Sequence, residues 1–166
     1  MSELLADGRN CSCLWKTVAF PLRLTAWNSQ NLALGTSMGA RHFTSLAAWQ
    51  LIDDVRRLLF TLTATGPGAR DFQFRDQIRS AADSACDNTA EGFGRYRHRE
   101  FSRFLTIAKG SLDETESQLL AGLAKGYFSA ESAADARVKI ARARRALLRL
   151  KAYLDRSDAP GPFDSE

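Results

Sequence analysis

From about Leu46 to Leu154, apolar residues return every third or fourth position, and no stretch alternates as a strand would. The first segment runs from about Leu46 to Thr63. Thr44 or Ser45 is positioned to cap it, and Trp49, Ile52, Val55, Leu59 and Leu62 share one face. Thr65-Gly-Pro-Gly68 breaks the pattern. The second segment runs from about Asp71 to Glu91, with Phe74, Ile78, Ala81, Ala82, Ala85 and Thr89 as a stripe of mostly small side chains. Gly92-Phe-Gly94 is expected to end it, since glycine readily takes the left-handed conformation past a helix end. The third, from about Arg99 to Lys125, carries a near-heptad seam of Phe101, Leu105, Ala108, Leu112, Thr115, Leu119 and Leu123, and Gly126 suits its C-terminal cap. The fourth, from about Ala130 to Leu154, has Ser129 as N-cap and Ile140, Ala143, Leu147, Leu150 and Leu154 as its seam. Short connections make successive helices antiparallel neighbours. The predicted fold is all-α, an up-and-down antiparallel four-helix bundle.

The ends of the chain differ from this middle. Residues 1–42 keep no period for more than a few positions and read as a poorly ordered extension. Because regular pattern starts only after Thr44, Met38 is expected to be the true start, with residues 1–37 the product of a start placed too far upstream. The bundle is expected to span residues 43–154. Residues 155–166 hold Pro160, Gly161 and Pro162 among acidic residues and read as a solvated tail. No run of about 18 apolar residues is present, so no membrane span is predicted. Three cysteines and no secretory signal point to a reducing, cytoplasmic setting. Cys11 and Cys13 lack nearby ligand partners, and Cys86 reads as a small buried thiol.

The 166 residues allow one ordinary domain. Against 19 Asp and Glu stand 23 Lys and Arg, a formal net charge of +4. That total is small, but it is unevenly spread. Arg137, Lys139, Arg142, Arg144, Arg145, Arg149 and Lys151 crowd the fourth segment, with Arg142, Arg145 and Arg149 on one flank of its seam and Arg137, Arg144 and Lys151 on the other. A second cluster, Arg95-Tyr-Arg-His-Arg99, joins the second and third segments and mixes an aromatic ring with the cations Arg95, Arg97 and Arg99. The two clusters suit phosphate contact; partial pairing with Asp113, Glu114 and Glu116 is the plainer alternative. Ala134, Ala141 and Leu148 repeat every seven residues away from the fourth seam, which points to an oligomer or partner contact.

Catalytic chemistry has little material. A di-iron bundle needs Glu-x-x-His pairs, and neither His42 nor His98 has a Glu three residues before it. No nucleophile is suggested beside His98, and no phosphate-cradling glycine loop follows a strand. No catalytic residue, metal ligand or cofactor is expected. Gln77, Ser84, Asn88 and Glu91 form a polar line on one flank of the second helix. It reads as a network fixing register or a subunit contact, with a solvated flank as the alternative.

These residues bring a family into view. Gln77-Ile-Arg79, Asn88-Thr-Ala-Glu-Gly92 and Gly94-Arg95 resemble the signature of bacterial four-helix bundle proteins of the 23S rRNA intervening-sequence type. Glu100-Phe-Ser-Arg-Phe-Leu105, Ala108-Lys-Gly-Ser-Leu112 and Glu114 resemble that family's third helix. The likeness covers about Phe43 to Leu154. It departs at Ser80, where a second arginine is usual, and at Ala85 and Thr89, where isoleucines are usual. The resemblance implies a homo-oligomer, commonly a pentamer, with no enzymatic activity. A related family member is the accessory variability determinant protein of diversity-generating retroelements, which implies RNA or DNA and a reverse transcriptase as partners. The leading expectation is a non-enzymatic, oligomeric nucleic-acid-binding accessory protein. The alternative is an interaction scaffold with no nucleic-acid role.

Overall fold

A computed structural model of the chain describes residues 40–95 and 97–157. Cys11, Cys13, Tyr96, nearly all of the expected extension and most of the expected tail lie outside these residues. A 3-10 turn, Phe43–Ser45, leads into α1 (Ala47–Leu62). A one-turn helix, α2 (Pro67–Arg70), is followed by three long helices: α3 (Phe72–Gly94), α4 (His98–Ala124) and α5 (Ala130–Arg156). The long helices pack as an all-α antiparallel bundle in the cyclic order α1, α3, α4, α5. The outer faces of the diagonal pair α3 and α5 therefore look to opposite sides of the molecule.

The apolar seams meet on the axis. Ile52, Val55 and Leu59 of α1, Ile78, Ala82 and Ala85 of α3, Leu105, Leu112 and Leu119 of α4, and Ile140, Ala143 and Leu147 of α5 are buried. Each fully buried leucine or isoleucine contributes about 1.5–3 kcal/mol from apolar area removed from water. The small residues of α3 let α4 approach closely: an added Cβ at Gly92 would lie 2.7 Å from the Phe101 and Phe104 side chains.

Several boundaries differ from the sequence expectation. Neither Thr44 nor Ser45 caps α1. Both hydroxyls are used inside the 3-10 turn, on His42, and Leu46 takes the N-cap position without a side-chain bond. Gly92-Phe-Gly94 does not end α3 in a left-handed residue. The helix runs through Gly94, and Arg95 at φ −86° closes it. Close packing, not backbone freedom, is what Gly92 provides. Among the described residues the glycines at positive φ are Gly66 and Gly126, and Gly126 follows the end of α4 as expected. Ser129 caps α5, its Oγ accepting from the Ser132 amide at 3.1 Å. α5 continues two residues past Leu154, so Asp155 and Arg156 belong to the helix and not to the tail.

Two junctions tie the bundle's ends. Asp71 caps α3, accepting from the Phe74 amide at 3.1 Å, and its other oxygen accepts from Tyr127 Oη at 2.9 Å and Lys125 Nζ at 3.2 Å. These bonds hold the Asp71 carboxyl below the usual carboxylate range, the Phe74 amide first and then Tyr127 and Lys125. At the other end, His98 Nδ1 lies 2.7 Å from Ser157 Oγ, and Ser102 Oγ donates to Asp155. The start of α4 and the end of α5 are thereby fixed side by side.

Candidate functional site

The junction of His98 with Ser157 fixes the start of α4 beside the end of α5, so basic residues some fifty apart in sequence lie at one end of the bundle. Arg95, Arg97 and Arg99 stand at the α3–α4 corner, and Arg149, Lys151 and Arg156 stand on the last turns of α5 at the same end. Arg103, exposed one turn beyond Arg99 on α4, joins them. Its spacing of four from Arg99 was the signal in the sequence.

The cations divide by their partners. Arg95 pairs with Glu91 at 2.5 Å and lies over the Phe104 ring, because α3 stays helical long enough to bring positions four apart together. On the α4-facing side of α5, Arg137 pairs with Glu116 at 3.3 Å. Arg144 pairs with Glu116 at 2.6 Å and Asp113 at 2.9 Å, and Lys151 with Asp155 at 2.7 Å. The Arg144 hydrogen bond chiefly holds Glu116 below its ordinary value. For Asp113 burial pushes up, but the Lys109 hydrogen bond and the Arg144 charge outweigh it. Arg137 and Arg144 form an interhelical clasp whose charge is spent on α4, while Lys151 pairs within α5; Glu114 stays exposed and takes no part.

Arg97, Arg99, Arg103, Arg145 and Arg149 are exposed and make no ion pair with a described residue. Arg142 is exposed on the same flank as Arg149. Arg145 stands apart from the end cluster. It projects within the apolar row of Ala134, Val138, Ala141 and Leu148, on the side of α5 opposite the core. Val138 is 58% and Leu148 41% exposed. The expected contact face of Ala134, Ala141 and Leu148 is thus a solvent-facing strip with one arginine in it.

The polar line on α3 separates into parts. Ser84 Oγ lies 2.9 Å from Ser111 Oγ of α4, and Asn88 Nδ2 donates to the Ser84 carbonyl at 2.7 Å. Ser111 was missed in the sequence because its hydroxyl sits among apolar seam positions. Gln77 is exposed and stands outside this network, and Glu91 is taken up by Arg95. Arg79 has a different task. Its Nε donates to Thr63 Oγ1 at 2.8 Å and its terminal nitrogen to the Thr63 carbonyl at 3.0 Å, capping the C-terminus of α1 over the Phe60 ring.

A third feature lies across the molecule. The outer side of α3 carries an open concavity of about 550 Å³ lined by Phe60, Asp76, Asp83 and Asp87 among others. Beneath it, Asp53 is 3% exposed and accepts from Arg56 and Arg57 of its own helix, while Arg56 reaches Asp83 at 3.6 Å. A buried aspartate within the α1 seam was not expected; arginines three and four residues on were its signal. Cys86, close to this group, is pushed up to about 12 by burial, which the Arg56 charge opposes and Asp53 reinforces.

A profile of the 23S rRNA-intervening sequence protein family matches residues 44–149. The chain belongs to that family. The match spans the four long helices up to the last turns of α5, so the Arg79 cap, the Asn88 network and the Gly92 contact are features of a family member's bundle. No curated protein matches the chain. Among the described residues no helix is long and apolar enough to cross a membrane.

Proposed function

We propose that this 23S rRNA-intervening sequence protein is a non-enzymatic, homo-oligomeric, cytoplasmic accessory protein that binds RNA or DNA at the basic end of its bundle. The observation that carries the reading is that Arg97, Arg99, Arg103 and Arg149 are exposed towards one end of the bundle, on α4 and α5, and none of them is paired with a described acid. Exposed guanidinium groups that make no ion pair with a described residue, although Glu100 stands among them, suit phosphate oxygens, which Arg meets in bidentate fashion. A modest patch per protomer becomes substantial when repeated around an oligomer, five times in the count implied by the family resemblance. A reverse transcriptase is a partner the resemblance adds.

Anisotropy of a fluorescein-labelled single-stranded RNA 20-mer tests it. Four phosphate contacts per protomer give a slope of about −3 in log affinity against log salt. Arg97→Glu with Arg99→Glu and Arg149→Glu is expected to abolish binding, whereas Arg137→Gln in the clasp leaves it nearly intact. Absence of binding at low salt by the intact oligomer overturns the reading.

The exposed Val138 and Leu148, with half-buried Ala141 between them, favour a second reading, a protein-interaction scaffold without nucleic acid. A protein partner retained after nuclease treatment and lost in Leu148→Asp supports it.

A further inference from the structure

Arg95 does not suit the role its charge suggests. Its terminal nitrogen donates to Glu91 Oε1 at 2.5 Å, so the cation is already answered by a carboxylate one turn back. What the pairing leaves is a plane. The guanidinium lies over the Phe104 ring, with Cζ 5.2 Å from the ring centroid. Phe104 is held in turn by α3: it is half-buried, and a Cβ added at Gly92 would lie 2.7 Å from its own Cβ. The backbone is fixed as well, because the Arg95 amide donates to the Gly92 carbonyl at 3.1 Å where α3 ends. One edge of the guanidinium is thus set by Glu91 and one face by Phe104, yet the Arg95 side chain is 48% exposed. With a ring beneath it, the face left open is the one turned away from Phe104. The other arginines stacked on rings differ. Arg75 over Phe72 is 28% exposed and bound to Asp76, and Arg79 over Phe60 is spent on the carbonyls that end α1.

We propose that the Arg95 guanidinium is a stacking shelf for one unpaired nucleobase, so that the single strand is the form of nucleic acid this protein selects. A guanidinium plane offers a base the flat contact that an aromatic ring offers. Unpaired bases are free to take that contact, whereas bases inside a duplex are covered by their neighbours. A shelf already fixed by Glu91, Phe104 and Gly92 loses little freedom when a base settles on it. Purines present the larger face and should stack better than pyrimidines. Because Glu91 neutralises the cation, the shelf adds affinity without adding a phosphate contact, and so without steepening the salt dependence. The selection of single strands rests on the function proposed above; the shelf itself does not.

Two measurements on the full chain separate them. The first titrates adenosine, which carries no phosphate, and follows the Arg95 Nε–Hε signal by nitrogen–proton NMR. Arg95→Lys, which lacks that signal, assigns it. An upfield ring-current shift that grows towards saturation at millimolar adenosine is expected, with a smaller shift for cytidine. An Arg95 signal unmoved by millimolar adenosine overturns the shelf, whatever the protein does with RNA. The second compares the labelled single-stranded RNA 20-mer with its duplex, for the unaltered chain and for Arg95→Lys. The lysine keeps the charge opposite Glu91 and loses the plane. It should weaken single-strand binding about 5- to 20-fold, leave the salt slope unchanged and alter duplex binding less than about twofold. An unchanged single-strand affinity, or equal weakening of both forms, overturns the selection. An adenosine shift with no RNA binding by either protein supports the shelf and refutes the proposed function.

Discussion

At Gly122 an added Cβ would lie 2.5 Å from Phe128 and 2.6 Å from Phe74, deep between α3, α4 and the α4–α5 loop. Rings held by a packed core cannot retreat cheaply, so Gly122→Ala and Gly92→Ala are each expected to destabilise the bundle by about 1–3 kcal/mol. Gly110 is the control on the same helix. It is exposed, nothing lies within 4 Å of its Cβ position, and Gly110→Ala should stabilise by about 0.5–1 kcal/mol. Chemical denaturation of the three variants checks the opposite signs. Periodicity separates these two glycines: Gly122 lies seven residues after Thr115, on the buried seam, whereas Gly110 lies two residues from both Ala108 and Leu112, off it. What periodicity does not give is the aromatic ring, supplied from elsewhere in the chain, that closes on Gly122. Gly92 shows the same gap: its sequence context reads as a helix stop, while Phe101 and Phe104 make it a contact point.

Helix faces were legible where helix ends were not. Ile78, Leu105, Leu112, Ile140 and Leu147 are buried because apolar spacing of three and four leaves a helix one way to exclude water. Ends depend on donors and acceptors from other elements. α1 is the example: its C-terminal carbonyls are satisfied by Arg79, sixteen residues on from Thr63. Arg79→Ala should cost about 1–3 kcal/mol, with Arg79→Lys recovering only part of it, because a single ammonium cannot span the same acceptors. The carboxylates at helix junctions set the acid limit. Asp71, Asp113, Glu116 and Asp155 all titrate below their ordinary values, held by hydrogen bonds or cations that favour the charged form. A depressed folded value means stability fully present above the unfolded value, about 4, and lost as pH falls through the folded one. The melting temperature should therefore stay flat above about pH 5 and fall progressively below pH 4. Glu116→Gln should lower the plateau and flatten part of that fall, which melting curves between pH 2 and 7 would show.

At the scale of the molecule, charge and apolar surface are distributed between opposite sides in a way that composition hides. The α3 side presents Asp76, Asp83 and Asp87 around a concavity rimmed by Phe60; the diagonal α5 side presents Val138, Ala141 and Leu148 with Arg145 among them. Arg145 cannot be desolvated with that row unless it meets an acid, since an uncompensated buried charge is costly. The α3 face of a second copy offers one, along with an aromatic edge for the aliphatic side chains. Such a contact is head-to-tail, because two different faces meet, and it closes into a ring only at the rotation the faces dictate. The seven-residue repeat of Ala134, Ala141 and Leu148 was legible in the sequence; the position of Asp83 and Asp87 across the bundle from it follows only from α3 and α5 being diagonal. If this pairing drives assembly, light scattering of the unaltered 18.4 kDa chain should give a multiple of that mass at micromolar concentration. Asp83→Arg with Asp87→Arg should reduce it to the protomer, as should Arg145→Glu alone. Combining the two reversals should restore the oligomer, because the charges are then exchanged and the apolar contact is kept. A protomer mass for the unaltered chain would remove the assembly altogether, and failure of the combined variant to reassemble would place the contact on other faces.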